Sequence, residues 1–220
     1  MRLRRDHGQR TFRNRDDAGQ ALARLLTSDH PELVRDPDVV VLGLARGGVP
    51  VAAPIADALH APLDAFVIRK LGVPLREELA FGAVASGGRP LISDRTVRDF
   101  GLTPDDVSAV IEKESAELLR REAVYRQGRP PTPVADRVVI LVDDGLATGS
   151  SMRAAVDSIR RRLPRQIIVA VGTGPTGTQI ANADEIVCAT IPPDFWAVGQ
   201  SYRDFTQVTD TEVRDLLATE

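Results

Sequence analysis

Five consecutive apolar residues, Val138-Val139-Ile140-Leu141-Val142, run directly into two acids, Asp143-Asp144, and then into Gly145-Leu146-Ala147-Thr148-Gly149-Ser150-Ser151. So short and wholly apolar a run, rich in β-branched residues, fits a strand buried on both faces, the habit of parallel sheets sandwiched between helices. A helix pattern follows over residues 150–163. Strand, tight turn and helix in that order commit the chain to an α/β architecture.

The rest of the chain repeats the alternation. Residues 39–42, 65–68, 167–171 and 186–189 are further short apolar, strand-like runs. Residues 16–26 carry Ala18, Leu22, Leu25 and Leu26 on one helical face, with Asn14 placed as N-cap, and residues 51–59 read as a second helix. Thr103-Pro104-Asp105-Asp106 has the signals of a helix start, the pattern continues over 107–125, and residues 128–133 break it. Residues 72–80 mix Gly, Pro and charge and read as a mobile loop. Residues 81–86 and 91–93 are expected to pair as a hairpin across Gly87-Gly88. Strands separated by helices predict a parallel sheet, whose ligands sit beyond the carboxyl ends of the strands. The informative loops are those after Leu42, Ile68, Val142, Val171 and Thr190.

Composition removes several function classes. The net charge is −3 over 220 residues, so no basic field points to nucleic acid, and no nucleic-acid partner is expected. The single Cys188 allows no internal disulfide and reads as a buried structural thiol. His7, His30 and His60 are scattered, which gives little support to a zinc site or a Ser-His-Asp triad. No apolar run reaches membrane-spanning length, and the basic N-terminus lacks the apolar stretch of a secretory signal, so a cytoplasmic location is expected.

The turn after Val142 has the chemistry of a sugar-phosphate site. Gly145 and Gly149 permit tight turns in which successive amides converge on an anion. The helix from Ser150 adds unpaired amides and its positive end, and Thr148, Ser150 and Ser151 add hydroxyl donors. Asp143 and Asp144 would repel a phosphate yet accept hydrogen bonds from a vicinal diol. A ribose 5-phosphate group satisfies both ends. A Walker A loop is excluded because no Gly-Lys-Ser/Thr ends the turn.

Residues 138–151 resemble the phosphoribosyl-pyrophosphate signature of the type I phosphoribosyltransferase family: apolar residues, two acids, a short loop, Thr-Gly and a small hydroxyl residue. The resemblance implies that Asp143 and Asp144 contact the ribose hydroxyls and Ala147 to Ser151 hold the 5-phosphate. Leu44-Ala45-Arg46-Gly47-Gly48 resembles the family's pyrophosphate loop, which often holds a cis peptide before its basic residue. Phe66-Val67-Ile68-Arg69-Lys70 resembles the strand and Arg-Lys pair of adenine phosphoribosyltransferases, which makes Arg69 and Lys70 candidates to hold departing pyrophosphate; a solvated basic pair is the alternative. Ile191-Pro192-Pro193-Asp194-Phe195-Trp196-Ala197-Val198-Gly199 resembles the hood of hypoxanthine-guanine phosphoribosyltransferases, where an aromatic residue stacks on the purine; Phe195 or Trp196 would do so here, or one of them packs in the core. Gly172-Thr173-Gly174-Pro175-Thr176-Gly177 matches a dinucleotide fingerprint literally, but Pro175 removes a donor, and a loop at the floor of the base pocket is the better reading.

The resemblance implies an α/β fold: one type I phosphoribosyltransferase-like domain with an open, mostly parallel twisted sheet and helices on both faces. Its core covers about 39–190, a flexible lid about 71–82 in which Glu77 and Glu78 either act or face solvent, and a small C-terminal hood about 191–207 with the N-terminal segment. A helical insertion, 94–133, is unmatched and serves as a cap or an oligomer contact. The implied reaction transfers phosphoribosyl from phosphoribosyl pyrophosphate to a nucleobase, as in nucleotide salvage. Mg2+ would be bound by substrate oxygens and, through water, by Asp143 or Asp144. The hood points to a purine, whereas Ala147 stands where hypoxanthine-guanine enzymes carry an Asp, so the base stays open. A homodimer fits as well as a monomer. The rival functions are a non-catalytic sensor of phosphoribosyl pyrophosphate or nucleotide on the same fold, and another phosphoryl enzyme of ribose phosphates.

Overall fold

The long apolar runs become the middle of a six-stranded sheet. The computed structural model describes residues 2–5 as backbone and residues 10–218; His7 and the side chains of Glu77 and Glu78 lie outside the described residues. Along the chain the elements are β1 (Arg2–Arg5), α1 (Arg15–Asp29), β2 (Val39–Leu44), α2 (Gly48–Leu59), β3 (Leu63–Phe66), β4 (Ile68–Val73), β5 (Arg76–Ala85), β6 (Leu91–Ile92), α3 (Asp94–Asp99), α4 (Pro104–Arg126), β7 (Val138–Gly145), α5 (Ser150–Arg160), β8 (Gln166–Thr173), β9 (Glu185–Thr190) and α6 (Asp210–Leu217).

The main sheet has the order β1-β9-β8-β7-β2-β3, and every pairing in it is parallel. Alternate residues of β2 and β7 enter two cores: Val39, Val41, Ile140 and Val142 join α1 and α2 on one face, while Val40, Leu42, Val139 and Leu141 join α5 on the other. From the centre, β2–α2–β3 winds one way and β7–α5–β8–β9 the other. The loops after β2 and β7 therefore part to opposite faces, and the crevice between them is the place where such sheets bind ligands.

Two expectations change. Residues 72–80 form the end of β4, a turn at Pro74-Leu75 and the start of β5 rather than an irregular loop, and β4, β5 and β6 make a separate antiparallel sheet. The hairpin forms because Leu71, Val73 and Phe81 bury one face of it. The expected strand 65–68 is split, since β3 ends at Phe66 and β4 begins at Ile68, so Arg69 and Lys70 lie within the flanking sheet rather than at the end of a core strand. The expected pairing of 81–86 with 91–93 is present, with Ala83 opposite Leu91.

The 94–133 region folds as α3 and α4. A capping box between Thr103 and Asp106 starts α4, and Leu118 and Tyr125 are buried beneath it. Arg126, at its end, donates from Nε to both oxygens of Asp64 on β3, at 3.2 and 3.1 Å, and so ties the helix to the sheet edge. Residues 10–13 run beside 201–204, with Phe12 N donating to Ser201 O at 2.8 Å and Arg203 N to Phe12 O at 2.8 Å.

Candidate sugar-phosphate site

The turn from β7 to α5 is held from behind. Leu146 is buried and its amide donates to Thr173 O at 2.8 Å, which fixes Gly145 against β8. Thr173 and Ser201 join through their hydroxyls at 2.8 Å, so the glycine-rich 172–177 loop and the hood both brace this turn. Gly149 takes φ +71, and α5 starts at once, presenting first-turn amides that have no acceptor within the helix. Thr148 and Ser150 stand exposed at the mouth, 3.1 Å apart through their hydroxyl oxygens. Lys70, Asp143, Gly145 to Ser151 and Val198 line a cleft of about 170 Å³.

A second cleft, of about 160 Å³, opens on the other side of Asp143. Ala45, Arg46, Gly47, Asp143, Asp144 and Ser151 line it. The Ala45–Arg46 peptide is cis. This loop approaches β7 so closely that a Cβ on Gly47 would overlap the Asp144 carboxylate and one on Gly48 would overlap the Val142 carbonyl oxygen. The obstacle at Gly48 is backbone, which cannot rotate away. Gly48→Ala is expected to cost about 1–3 kcal/mol as overpacking. Thermal denaturation checks this at roughly 2–4 °C per kcal/mol for a chain of this size; an unchanged midpoint would mean that the two loops are not in contact.

The acids are adjacent and only partly exposed. Burial, and then the neighbouring Asp144 carboxylate, push the Asp143 carboxyl well above the ordinary carboxylate range. Burial also raises Asp144, against the attraction of Arg15. Arg15 Nε donates to Asp144 Oδ2 at 2.8 Å, its Nη1 donates to Thr206 O at 2.7 Å, and its guanidinium lies 4.0 Å from the centre of the Phe205 ring. Tyr202 completes the support, donating its hydroxyl to Asp144 O at 2.6 Å. Sequence reasoning missed Arg15, Tyr202 and Phe205. The one local signal was a cation at the positive end of α1, where the helix itself disfavours it.

Of the expected site residues, Asp143, Asp144, the 45–48 loop, the 145–151 turn and Lys70 converge. Arg69 points away from Lys70, as adjacent strand residues do, and its guanidinium pairs with Glu114 of α4, Nη2 to Oε2 at 2.6 Å. Arg46 reaches Asp210 of α6 at 3.9 Å, and Tyr125 of α4 donates to that same carboxylate at 2.7 Å. Trp196 is 80% exposed and Phe195 half-buried, and the hood residue lining the first cleft is Val198. The paired carboxylates offer the hard oxygens that magnesium prefers, and two adjacent acids favour a cation between them and a polyanionic ligand. Among the described residues no cluster of three metal-binding side chains occurs, so further ligands would come from substrate and water.

The parallel sheet thus sets two adjacent acids and a glycine-rich strand-to-helix turn at its switch point. The model of the phosphoribosyl transferase domain matches residues 13–206, and the chain belongs to that family. It is 44% identical over 205 residues to a Mycobacterium tuberculosis protein provisionally named a phosphoribosyl transferase, a match covering 92% of this chain and 45% of the relative. The chain thus spans about half the length of that relative. It is 32% identical over 157 residues to the bifunctional protein PyrR of Clostridium acetobutylicum, covering 69% of this chain and 68% of that one. Among solved structures, the protein TT1426 from Thermus thermophilus superposes with a TM-score of 0.78 at 38% identity, over 94% of this chain and 97% of that one. The sheet and helices are those of a type I phosphoribosyltransferase fold. Among the described residues no helix is long and apolar enough to cross a membrane.

Proposed function

We propose that this chain transfers the 5-phosphoribosyl group of phosphoribosyl pyrophosphate to a nitrogenous base, a purine in the first instance, releasing pyrophosphate. The observation that carries the reading is the convergence on Asp143 of a phosphate cradle on one side and the Arg46 loop on the other. The 5-phosphate sits in the 147–151 turn, the ribose hydroxyls donate to Asp143 and Asp144, and the pyrophosphate lies along 45–48 with Lys70 beside it. A base nitrogen bonds to the anomeric carbon as the bond from that carbon to the pyrophosphate oxygen breaks, with inversion. Negative charge grows on the leaving group, and Arg46 and Lys70 are preplaced to stabilise it. Bound magnesium would add charge stabilisation at the pyrophosphate oxygens. The β4–β5 hairpin, with Leu75 fully exposed at its tip, is the segment suited to close over the reacting centre.

A second reading, a sensor without catalysis, draws support from Arg69, which is committed to Glu114 instead of the cleft. Release of pyrophosphate from phosphoribosyl pyrophosphate and magnesium, followed over a panel of purines and pyrimidines, separates the two. The transferase reading expects turnover with at least one base and a loss of roughly 10²–10³ in kcat for Lys70→Ala. Binding without turnover on any base would favour the sensor, and no binding would end both.

A further inference from the structure

The phosphate cradle opens on its far side, away from Asp143, into a cleft of about 520 Å³ that the transfer reaction leaves unused. It lies between the β4–β6 sheet and α5. Lys70, Thr148, Ser150 and Ser151 border both this cleft and the cradle. Its walls are mainly apolar: Leu79 and Leu91 from the sheet, and Ala154 from the helix. A pentose phosphate has no apolar surface to place there. Ser150, Ala154 and Asp157 follow one another at helical spacing, so they form a single stripe of α5 facing the cleft. The stripe places a carboxylate about 10 Å from the phosphate-binding hydroxyls, two turns along the helix. Asn182 Nδ2 donates to Asp157 Oδ1 at 2.8 Å, which fixes the carboxylate; among the described residues nothing donates to its other oxygen.

The cleft thus asks for a molecule with an anion at one end, a flat apolar body, and a hydrogen-bond donor at the far end. A purine nucleoside 5′-phosphate with an exocyclic amine has that sequence of groups. We infer that this cleft is a second nucleotide site, taking an adenine-type nucleoside 5′-phosphate with its phosphate in the 147–151 cradle, its base between Leu91 and Ala154 and its amine on Asp157. This rests on the reading of the cradle as a phosphate site. The nucleotide lies reversed relative to a reaction product, whose base would point toward Val198. It excludes phosphoribosyl pyrophosphate because the two share the cradle.

Isothermal titration of the whole chain with ribose 5-phosphate, AMP and IMP tests the inference. AMP is expected to bind roughly ten-fold or more tighter than ribose 5-phosphate or IMP, because IMP lacks the amine and ribose 5-phosphate lacks the base. Ala154→Trp, which fills the cleft, should bring AMP down to the affinity of ribose 5-phosphate and leave the latter unchanged. Asp157→Asn, a change of little bulk, should remove the preference for AMP over IMP. If ribose 5-phosphate fails to bind, the cradle reading falls and this inference with it. If ribose 5-phosphate binds but AMP is no tighter, or AMP ignores both substitutions, the second site alone is overturned.

Discussion

Replacing Asp143 and Asp144 together by Asn weakens the binding of phosphoribosyl pyrophosphate by roughly 100-fold or more, and Asp143→Asn alone, which leaves the Arg15–Asp144 pair intact, raises the melting temperature at neutral pH. The affinity loss follows from the acceptor role. Each carboxylate that receives a hydroxyl hydrogen bond contributes about 1.5–3 kcal/mol as a charged partner, and two such losses exceed two decades in affinity. The gain in stability follows from the burial of two adjacent negative charges, which raises both carboxyls, Asp143 the more. A carboxyl whose folded value lies above its unfolded one favours folding most at pH below the ordinary carboxylate range, and that contribution is lost as pH rises through the folded value. The wild type should therefore fall behind the Asp143→Asn variant progressively as pH increases from the carboxylate range toward neutrality. Calorimetric melting against pH, with and without phosphoribosyl pyrophosphate, checks both halves. Unchanged affinity would remove the acid pair from the site, and a variant equally stable at all pH values would show that the pair carries no charge-burial cost.

What the sequence disclosed and what it hid divide by range of interaction. The strands β2, β7, β8 and β9 were legible because burial on both faces demands uninterrupted apolar residues. The glycine-rich turn after β7 was legible because it is made by neighbours in sequence. The β4–β5 hairpin was not. Its turn sets Pro74 before Leu75, which takes φ +65, a position where glycine or asparagine gives the usual signal. The burial of Leu71, Val73 and Phe81 depends on α4 and the sheet, which no local pattern records. The same gap separated Arg69 from Lys70. Adjacent in sequence, they face opposite sides of a strand, and only the position of Glu114 on α4 shows which one is already engaged. The helix α6 carried a readable capping box, Thr209 with Glu212, that was overlooked. In the hood, an aromatic pair drew attention that the structure gives to Val198, which meets Gly145 so closely that a Cβ there would collide with it.

Arg15→Ala is expected to destabilise the protein by about 3 kcal/mol at neutral pH, the lower end of what breaking a buried ion pair costs. The guanidinium and the Asp144 carboxylate are only 12% and 15% exposed, so water does little to replace the lost partner. Removing the cation leaves Asp144 buried beside Asp143 with its chief compensating charge gone, and strips Phe205 of the guanidinium stacked on it. The deficit should shrink as pH falls and Asp144 takes up a proton, because the pair it measures needs the carboxylate charged. Asp144→Asn in the Arg15→Ala background supplies the decisive comparison. If Arg15 acts by neutralising Asp144, the second substitution recovers most of the lost stability, and a double-mutant cycle returns a large coupling energy between the two positions. Additive losses in that cycle would instead make Arg15 a packing residue for the hood. In the coupled case the N-terminal helix belongs to the site: an arginine placed against the helix's own field neutralises an acid far away in sequence, the one proposed to accept the ribose hydroxyls.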